Sequence, residues 1–208
     1  MVRVKICGIT NADDAMHAAR CGADAIGFIF AESLRKISAD QARAIRAKLP
    51  PFVSVVGIFV DPDPRQARKV FDDVGLDFVQ LYTEDERAFL EGSGLGPRRV
   101  IRSISIATES DLEAARKTAA EIIHLDTKVK GKAGGTGKTF DWSIAVKAKS
   151  IGKPIILSGG LNPDNVAEAI AAVSPSAVDA STGLEAEPGR KDPDKVREFI
   201  RRAKGNAT

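Results

Sequence analysis

Hydrophobic positions along the chain switch repeatedly between two periods. Short runs that are apolar at nearly every position each give way to a stretch with apolar residues at i, i+3, i+4 and i+7, the alternation of strand and amphipathic helix. The runs are Val2 to Cys7, Ala25 to Phe30, Val53 to Phe59, Phe78 to Leu81, Val100 to Ile104, Ile122 to Leu125, Ile155 to Leu157 and Ala177 to Ala180, eight in all. Between them, one-sided stripes stand out: Ala12, Ala15, Met16 and Ala19; Ala67, Val70, Phe71 and Val74; Val166, Ala169, Ile170 and Val173; Val196, Phe199, Ile200 and Ala203. The stretch near Glu84 to Leu90 carries the least regular stripe. Helix starts are marked by Ser38 with Gln41, by Thr108 with Asp111, and by Asn162 followed by Pro163 at the expected first helical position.

Runs such as Ala25 to Phe30 lack a polar face, as expected of parallel strands covered on both sides. Helices therefore belong outside the sheet. Eight βα units fit either a closed barrel or an open doubly wound sheet. Glycine-rich turns after the seventh and eighth strands favour the barrel, where those loops bind phosphate. The expected fold is an α/β (β/α)8 TIM barrel, one domain over residues 1–208.

Composition narrows the function. With 31 Lys and Arg against 28 Asp and Glu, the net charge is +3 and the signs alternate along the chain, which argues against a nucleic-acid partner. No apolar run reaches the roughly 20 residues that span a bilayer, and the first residues read as a strand carrying Arg3 and Lys5, not as a signal peptide. Two cysteines, Cys7 and Cys21, are too few for a disulfide framework or a structural zinc cluster. The expectation is a cytoplasmic protein without metal or cofactor, acting on a small phosphorylated molecule as a monomer or homodimer.

The seventh strand runs into Ser158-Gly159-Gly160-Leu161-Asn162-Pro163, and the eighth into Ser181-Thr182-Gly183. Glycines let backbone N–H groups approach phosphate oxygens, and a following helix adds its positive end. Each turn alone could simply be tight; adjacent units with the same feature favour phosphate. A third cluster, Gly131 to Thr139, resembles a nucleotide P-loop but fails its spacing, since Lys132 occupies the position needing the first glycine. Its glycines and lysines instead suit a lid from Thr127 to Thr139.

Cys7 closes the first strand, which in a barrel sets its sulfur at the catalytic mouth. Elsewhere a lone cysteine is most often a small buried hydrophobe, the reading given to Cys21. Strand alternation puts Lys5 on the same face, where a buried ammonium needs a partner. Asp179 on the eighth strand is the expected one, because that strand neighbours the first once the barrel closes. The Lys5 charge would favour the Cys7 thiolate, a minor species at neutral pH for an ordinary thiol pKa of about 8.5. Asp126 ends the sixth strand and faces the same mouth, either as a local cap or as an acid paired with Cys7; as an acid its pKa must rise above about 3.9, which closure of a lid could achieve. Arg35, in the loop after the second strand, has a fork suited to a carboxylate. His124 lies one layer below Asp126 and reads as a hydrogen-bonded core residue. His17 reads as an exposed helix residue, and Trp142 as packing for the sixth helix.

Taken in order, Val4 to Thr10, Gly22 to Phe28, Leu125 to Thr127, Gly134 to Trp142, Leu157 to Leu161 and Val178 to Glu185 resemble phosphoribosylanthranilate isomerase of tryptophan biosynthesis over essentially the whole chain. The Lys-Ile-Cys-Gly and Gly-Gly-Thr-Gly-Lys-Thr-Phe-Asp-Trp segments are the most specific. The resemblance implies an Amadori rearrangement of an aminoaldose phosphate to an aminoketose, with Asp126 as general acid and Cys7 as general base. It makes Arg35, Gln80 and Asp179 contacts of the substrate, gives the phosphate to Gly134, Gly135, Gly159, Gly160, Ser181 and Thr182, and leaves Lys5 supporting from behind. Two positions depart from the family pattern: Tyr82-Thr83 stand where His-Gly is usual after Gln80-Leu81, and Lys36 replaces the aromatic after the loop arginine. The alternatives are the related isomerase of histidine biosynthesis, which resembles a duplicated half-barrel with paired aspartates, and a non-catalytic phosphosugar-binding barrel.

Overall fold

Eight parallel strands close into a barrel in chain order in the computed structural model, which describes residues 1–127 and 141–205. They are β1 (Arg3–Cys7), β2 (Ala25–Ile29), β3 (Ser54–Val60), β4 (Phe78–Tyr82), β5 (Val100–Ile106), β6 (Ile122–Thr127), β7 (Ile155–Leu157) and β8 (Ala177–Ala180). Each expected strand is present. Pairing of β1 with β8 completes the ring and sets Lys5 opposite Asp179. The intervening helices are α1 (Ala12–Arg20), α2 (Ala39–Arg46), α3 (Pro64–Val74), α4 (Glu86–Ser93), α5 (Leu112–Lys117), α6 (Trp142–Ala148), α7 (Val166–Val173) and α8 (Pro193–Lys204). A short antiparallel hairpin, β9 (Glu185–Glu187) with β10 (Arg190–Lys191), is inserted between β8 and α8.

The strands are apolar on both faces because they meet two environments. Outward residues such as Val4, Ile6, Phe28, Leu81 and Leu125 are buried in the main core with Phe199 of α8. Inside the barrel, Val56, Ile101 and Ile156 form a separate apolar cluster with Ala25, Phe78, Ile122 and Ala177. Two residues further along, strand alternation brings in a polar layer of Lys5, Gln80, Ser103, His124 and Asp179, all buried. The next layer carries Cys7, Tyr82 and Asp126. The barrel is thus oily at its N-terminal end and increasingly polar toward the end where strands feed into helices.

Local signals held with one exception. The Ser38–Gln41 capping box closes with both hydrogen bonds, at 3.2 and 2.8 Å. Asp111 Oδ2 accepts the Thr108 N–H at 2.8 Å. Despite its irregular stripe, α4 forms, with Asp85 accepting from Ala88 N at 2.9 Å. The exception is α7, which begins at Val166 with Asn165 as its cap, not at Pro163. Asn162 Oδ1 accepts the N–H groups of Asp164 and Asn165, at 2.8 and 3.3 Å, and so forms a local turn that delays the helix. Among the described residues no helix is long and apolar enough to cross a membrane.

Candidate active site

Cys7, the last residue of β1, is buried at the C-terminal rim of the barrel. Gly27 on β2 makes the space it occupies: a Cβ there would stand 2.9 Å from the sulfur. One layer below, Lys5 Nζ meets Asp179 Oδ2 at 2.8 Å, both side chains almost fully buried, as the closed ring requires. Burial alone pushes Asp179 up, but Lys5 and His124 more than offset it and hold its pKa down to about 2. Lys5 is raised in turn: burial opposes its charge, and Asp179 and Cys7 outweigh that.

Burial outweighs the charge expected to favour the Cys7 thiolate. Lys5 does favour ionisation, as does Lys191, but desolvation is the larger effect and Asp179 adds to it, so the thiol pKa is raised. Asp179, the carboxylate partner of Lys5, offsets part of the positive charge expected to activate the sulfur.

Asp126 lies near the end of β6, also buried. Its pKa is raised chiefly by desolvation, against the pull of His124, the Thr127 N–H and the Tyr82 hydroxyl. The shift arises within the described residues, without the lid invoked from sequence. Oδ1 accepts the Thr127 N–H at 2.8 Å and Oδ2 accepts the Tyr82 O–H at 3.1 Å. His124 is the hydrogen-bonded core residue expected, 3.1 Å from Asp179 Oδ2 through Nε2 and 3.2 Å from Ser103 Oγ through Nδ1.

Asp126 and Asp179 share a cleft with Gly159, Gly160, Ser181 and Thr182. Two positions in its wall admit only glycine. Gly159 has φ +88°, and a Cβ there would lie 2.2 Å from Thr127 Oγ1; at Gly183 it would lie 2.3 Å from the Leu161 carbonyl. The β7 and β8 turns are thereby pressed together beside Asp126. Gly134, Gly135 and the lid segment lie outside the described residues. A wider hollow at the opposite end of the barrel, lined by residues including Pro51, Phe52 and Asp77, contains none of these groups.

Arg35 reaches the mouth, but its fork is engaged. Nε and Nη2 each lie 2.6 Å from a carboxylate oxygen of Glu185. Glu185 Oε1 also accepts from the buried Lys191 at 3.1 Å, and Lys191 reaches the Ser181 carbonyl at 3.2 Å. Gly8 leaves room for this crossing, since a Cβ on it would meet both Arg35 and Ser181 within 2.8 Å.

The family model described as N-(5'phosphoribosyl)anthranilate (PRA) isomerase matches residues 4–202. The chain belongs to this family. The N-(5'-phosphoribosyl)anthranilate isomerase of Geobacter sulfurreducens is 48% identical over 206 residues, 99% of this chain and 100% of the relative. The phosphoribosyl anthranilate isomerase structure from Thermotoga maritima superposes with a TM-score of 0.90 at 46% identity, over 99% of this chain and 100% of the other. A phosphoribosyl anthranilate isomerase solved in complex with reduced 1-(o-carboxyphenylamino)-1-deoxyribulose 5-phosphate has a TM-score of 0.86 at 43% identity, with the same coverage. The chain is thus an isomerase of the (β/α)8 class.

Against the pattern of the phosphoribosylanthranilate isomerase family, the two departures differ in weight. Lys36 points away into an ion pair with Glu32, whereas Tyr82 touches Asp126. Sequence reading also missed Glu185 and Lys191 as parts of the mouth. The cue for Tyr82 was available, since it lies two residues after Gln80 and so shares its inward face. No periodic signal marks Lys191, which follows the turn at Gly189 in the inserted hairpin.

Proposed function

We propose that this chain converts N-(5'-phosphoribosyl)anthranilate to 1-(o-carboxyphenylamino)-1-deoxyribulose 5-phosphate by an Amadori rearrangement, in tryptophan biosynthesis. The observation that carries the reading is the placing of two buried groups, Cys7 and Asp126, at one rim of the barrel beside glycine turns suited to phosphate, with Asp126 held toward its protonated form. Asp126 as the carboxylic acid gives its proton to the furanose ring oxygen. The C1–O bond breaks toward oxygen while the nitrogen lone pair forms the Schiff base. Cys7 as thiolate takes the proton from C2, the C2–H electrons form C1=C2, and the C=N pair returns to nitrogen. The enolamine then gains a proton at C1 and loses one from the C2 hydroxyl to give the ketone.

In this reading Gly159, Gly160, Ser181 and Thr182 hold the phosphate, with Gly134 and Gly135 joining from the loop after β6. Arg35 offers the anthranilate carboxylate Nη1, the nitrogen Glu185 does not hold. Gln80 and Asp179 serve the sugar: Gln80 Oε1 and Asp179 Oδ1 are buried without a hydrogen-bonding partner among the described residues, a state that calls for a polar ligand group or water. Lys5 keeps Asp179 ionised and supplies the positive field beneath Cys7.

The test is the loss of phosphoribosylanthranilate fluorescence on mixing with the purified protein. Turnover to the ketone product is expected. Binding that quenches or shifts the signal without turnover would instead make the chain a phosphosugar-binding barrel.

A further inference from the structure

Tyr82 is the one departure from the family pattern that contacts a proposed catalytic group. Its hydroxyl donates to Asp126 Oδ2 at 3.1 Å, and Ser103 lies beside it. Ser103 Oγ lies 3.2 Å from His124 Nδ1, His124 Nε2 lies 3.1 Å from Asp179 Oδ2, and Asp179 is paired with Lys5 beneath Cys7. Polar side chains therefore line the barrel interior between the acid and the base. We infer that Tyr82 is a positioning residue for the acid step, holding the Asp126 carboxyl through its hydroxyl in both protonation states of the acid.

Asp179, ionised, can only accept, so His124 donates through Nε2. Tyr82 has one O–H, and it is directed at Asp126. While Asp126 carries its proton, the phenol O–H holds Oδ2 and leaves the acid proton for the ring oxygen. Once the proton has gone to the substrate, the same O–H holds the new carboxylate. Neither state of Asp126 is left with an unsatisfied oxygen. The phenol remains protonated throughout, since burial and the Asp126 charge raise its pKa well above 10.0.

This inference depends on the acid and base roles proposed above, and its pH dependence has a defined set of neighbours. Asp126 is faced by Tyr82 from β4, His124 from its own strand and Asp179 from β8, with Lys5 and Cys7 across the barrel on β1. Of these, the Tyr82 hydroxyl favours the ionised carboxyl, so its removal raises the Asp126 pKa.

The experiment compares Tyr82→Phe, Tyr82→His, Asp126→Asn and the double variant Tyr82→Phe/Asp126→Asn by pH-dependent steady-state kinetics. Loss of a hydrogen bond to a charged group should lower kcat roughly ten- to hundredfold in Tyr82→Phe with KM within about twofold. The acidic limb of its kcat/KM profile should move to higher pH. Tyr82→His, which restores a donor and matches the family pattern, should recover kcat and the position of the limb. Adding Tyr82→Phe to Asp126→Asn should cost nothing more. Wild-type kcat and an unmoved limb in Tyr82→Phe, no recovery in Tyr82→His, or an undiminished loss in the Asp126→Asn background would each overturn the inference. Wild-type activity in Asp126→Asn itself would instead overturn the acid assignment on which the inference rests.

Discussion

Asp126→Asn is expected to fold normally and to lower kcat by roughly 10² to 10⁴, the usual contribution of a general acid. The amide is nearly isosteric and can still accept the Thr127 N–H through its carbonyl oxygen, so the local geometry survives. It cannot deliver a proton to the ring oxygen. The pH profile separates this loss from misfolding. Productive enzyme carries Asp126 protonated and Cys7 ionised, while burial raises both pKa values. Below the Asp126 pKa the acid is fully protonated, and the rate climbs with pH as thiolate appears. Above it, loss of the acid cancels the gain of thiolate and the profile flattens, until the Cys7 pKa is passed and activity falls. In Asp126→Asn the flattening at the lower pKa should vanish, leaving residual activity that rises until Cys7 has ionised. Activity within about tenfold of wild type would remove Asp126 from the acid role.

Lys5→Met is expected to have the largest effect on stability. Removing one partner of a buried ion pair typically costs about 3–5 kcal/mol, because the remaining charge stays desolvated. For a chain of this size that corresponds to a Tm lower by about 6–20 °C. The double variant Lys5→Met/Asp179→Asn should be more stable than Lys5→Met alone, since no isolated carboxylate is left in the barrel. Acid sharpens the test. Asp179 ionises at about 2 in the folded chain, below its ordinary 3.8, so its contribution is fully present above the ordinary value and is lost as pH falls through about 2. The gap in unfolding free energy between wild type and Lys5→Met should therefore narrow as pH drops across that window. A single variant as stable as wild type at neutral pH would mean that the pair is not structurally coupled to the fold.

The barrel was legible because every strand carries its burial in its own composition. Ala25 to Ile29 and Phe78 to Tyr82 read as strands before any tertiary contact is known, and eight such runs leave few architectures. Once closure is assumed, the Lys5–Asp179 contact follows from adjacency of β1 and β8 and from the cost of an unpaired buried ammonium. What depends on long-range placement was not legible. Engagement of the Arg35 fork by Glu185 depends on how the β9–β10 insertion folds back over the mouth, and that segment is too short to carry a period. The protonation of Cys7 is a balance between desolvation and the Lys5 and Lys191 charges, and only the charge side could be guessed from residue types. Tyr82 was visible as an unusual residue, but its bond to Asp126 spans β4 and β6, separated by β5. The late start of α7 reflects Asn162 choosing a turn over a cap, a local competition that the Asn-Pro signal does not resolve.

The central claim is that Cys7 and Asp126 perform an acid–base isomerisation of phosphoribosylanthranilate in this barrel. Its most direct test is the rate of fluorescence loss for wild type and Cys7→Ser under saturating substrate. The account predicts turnover by wild type and, in Cys7→Ser, a kcat lower by roughly 10² to 10⁴ with substrate binding retained, because a serine hydroxyl is far too weakly acidic to act as the base. Equal rates in the two proteins would contradict it.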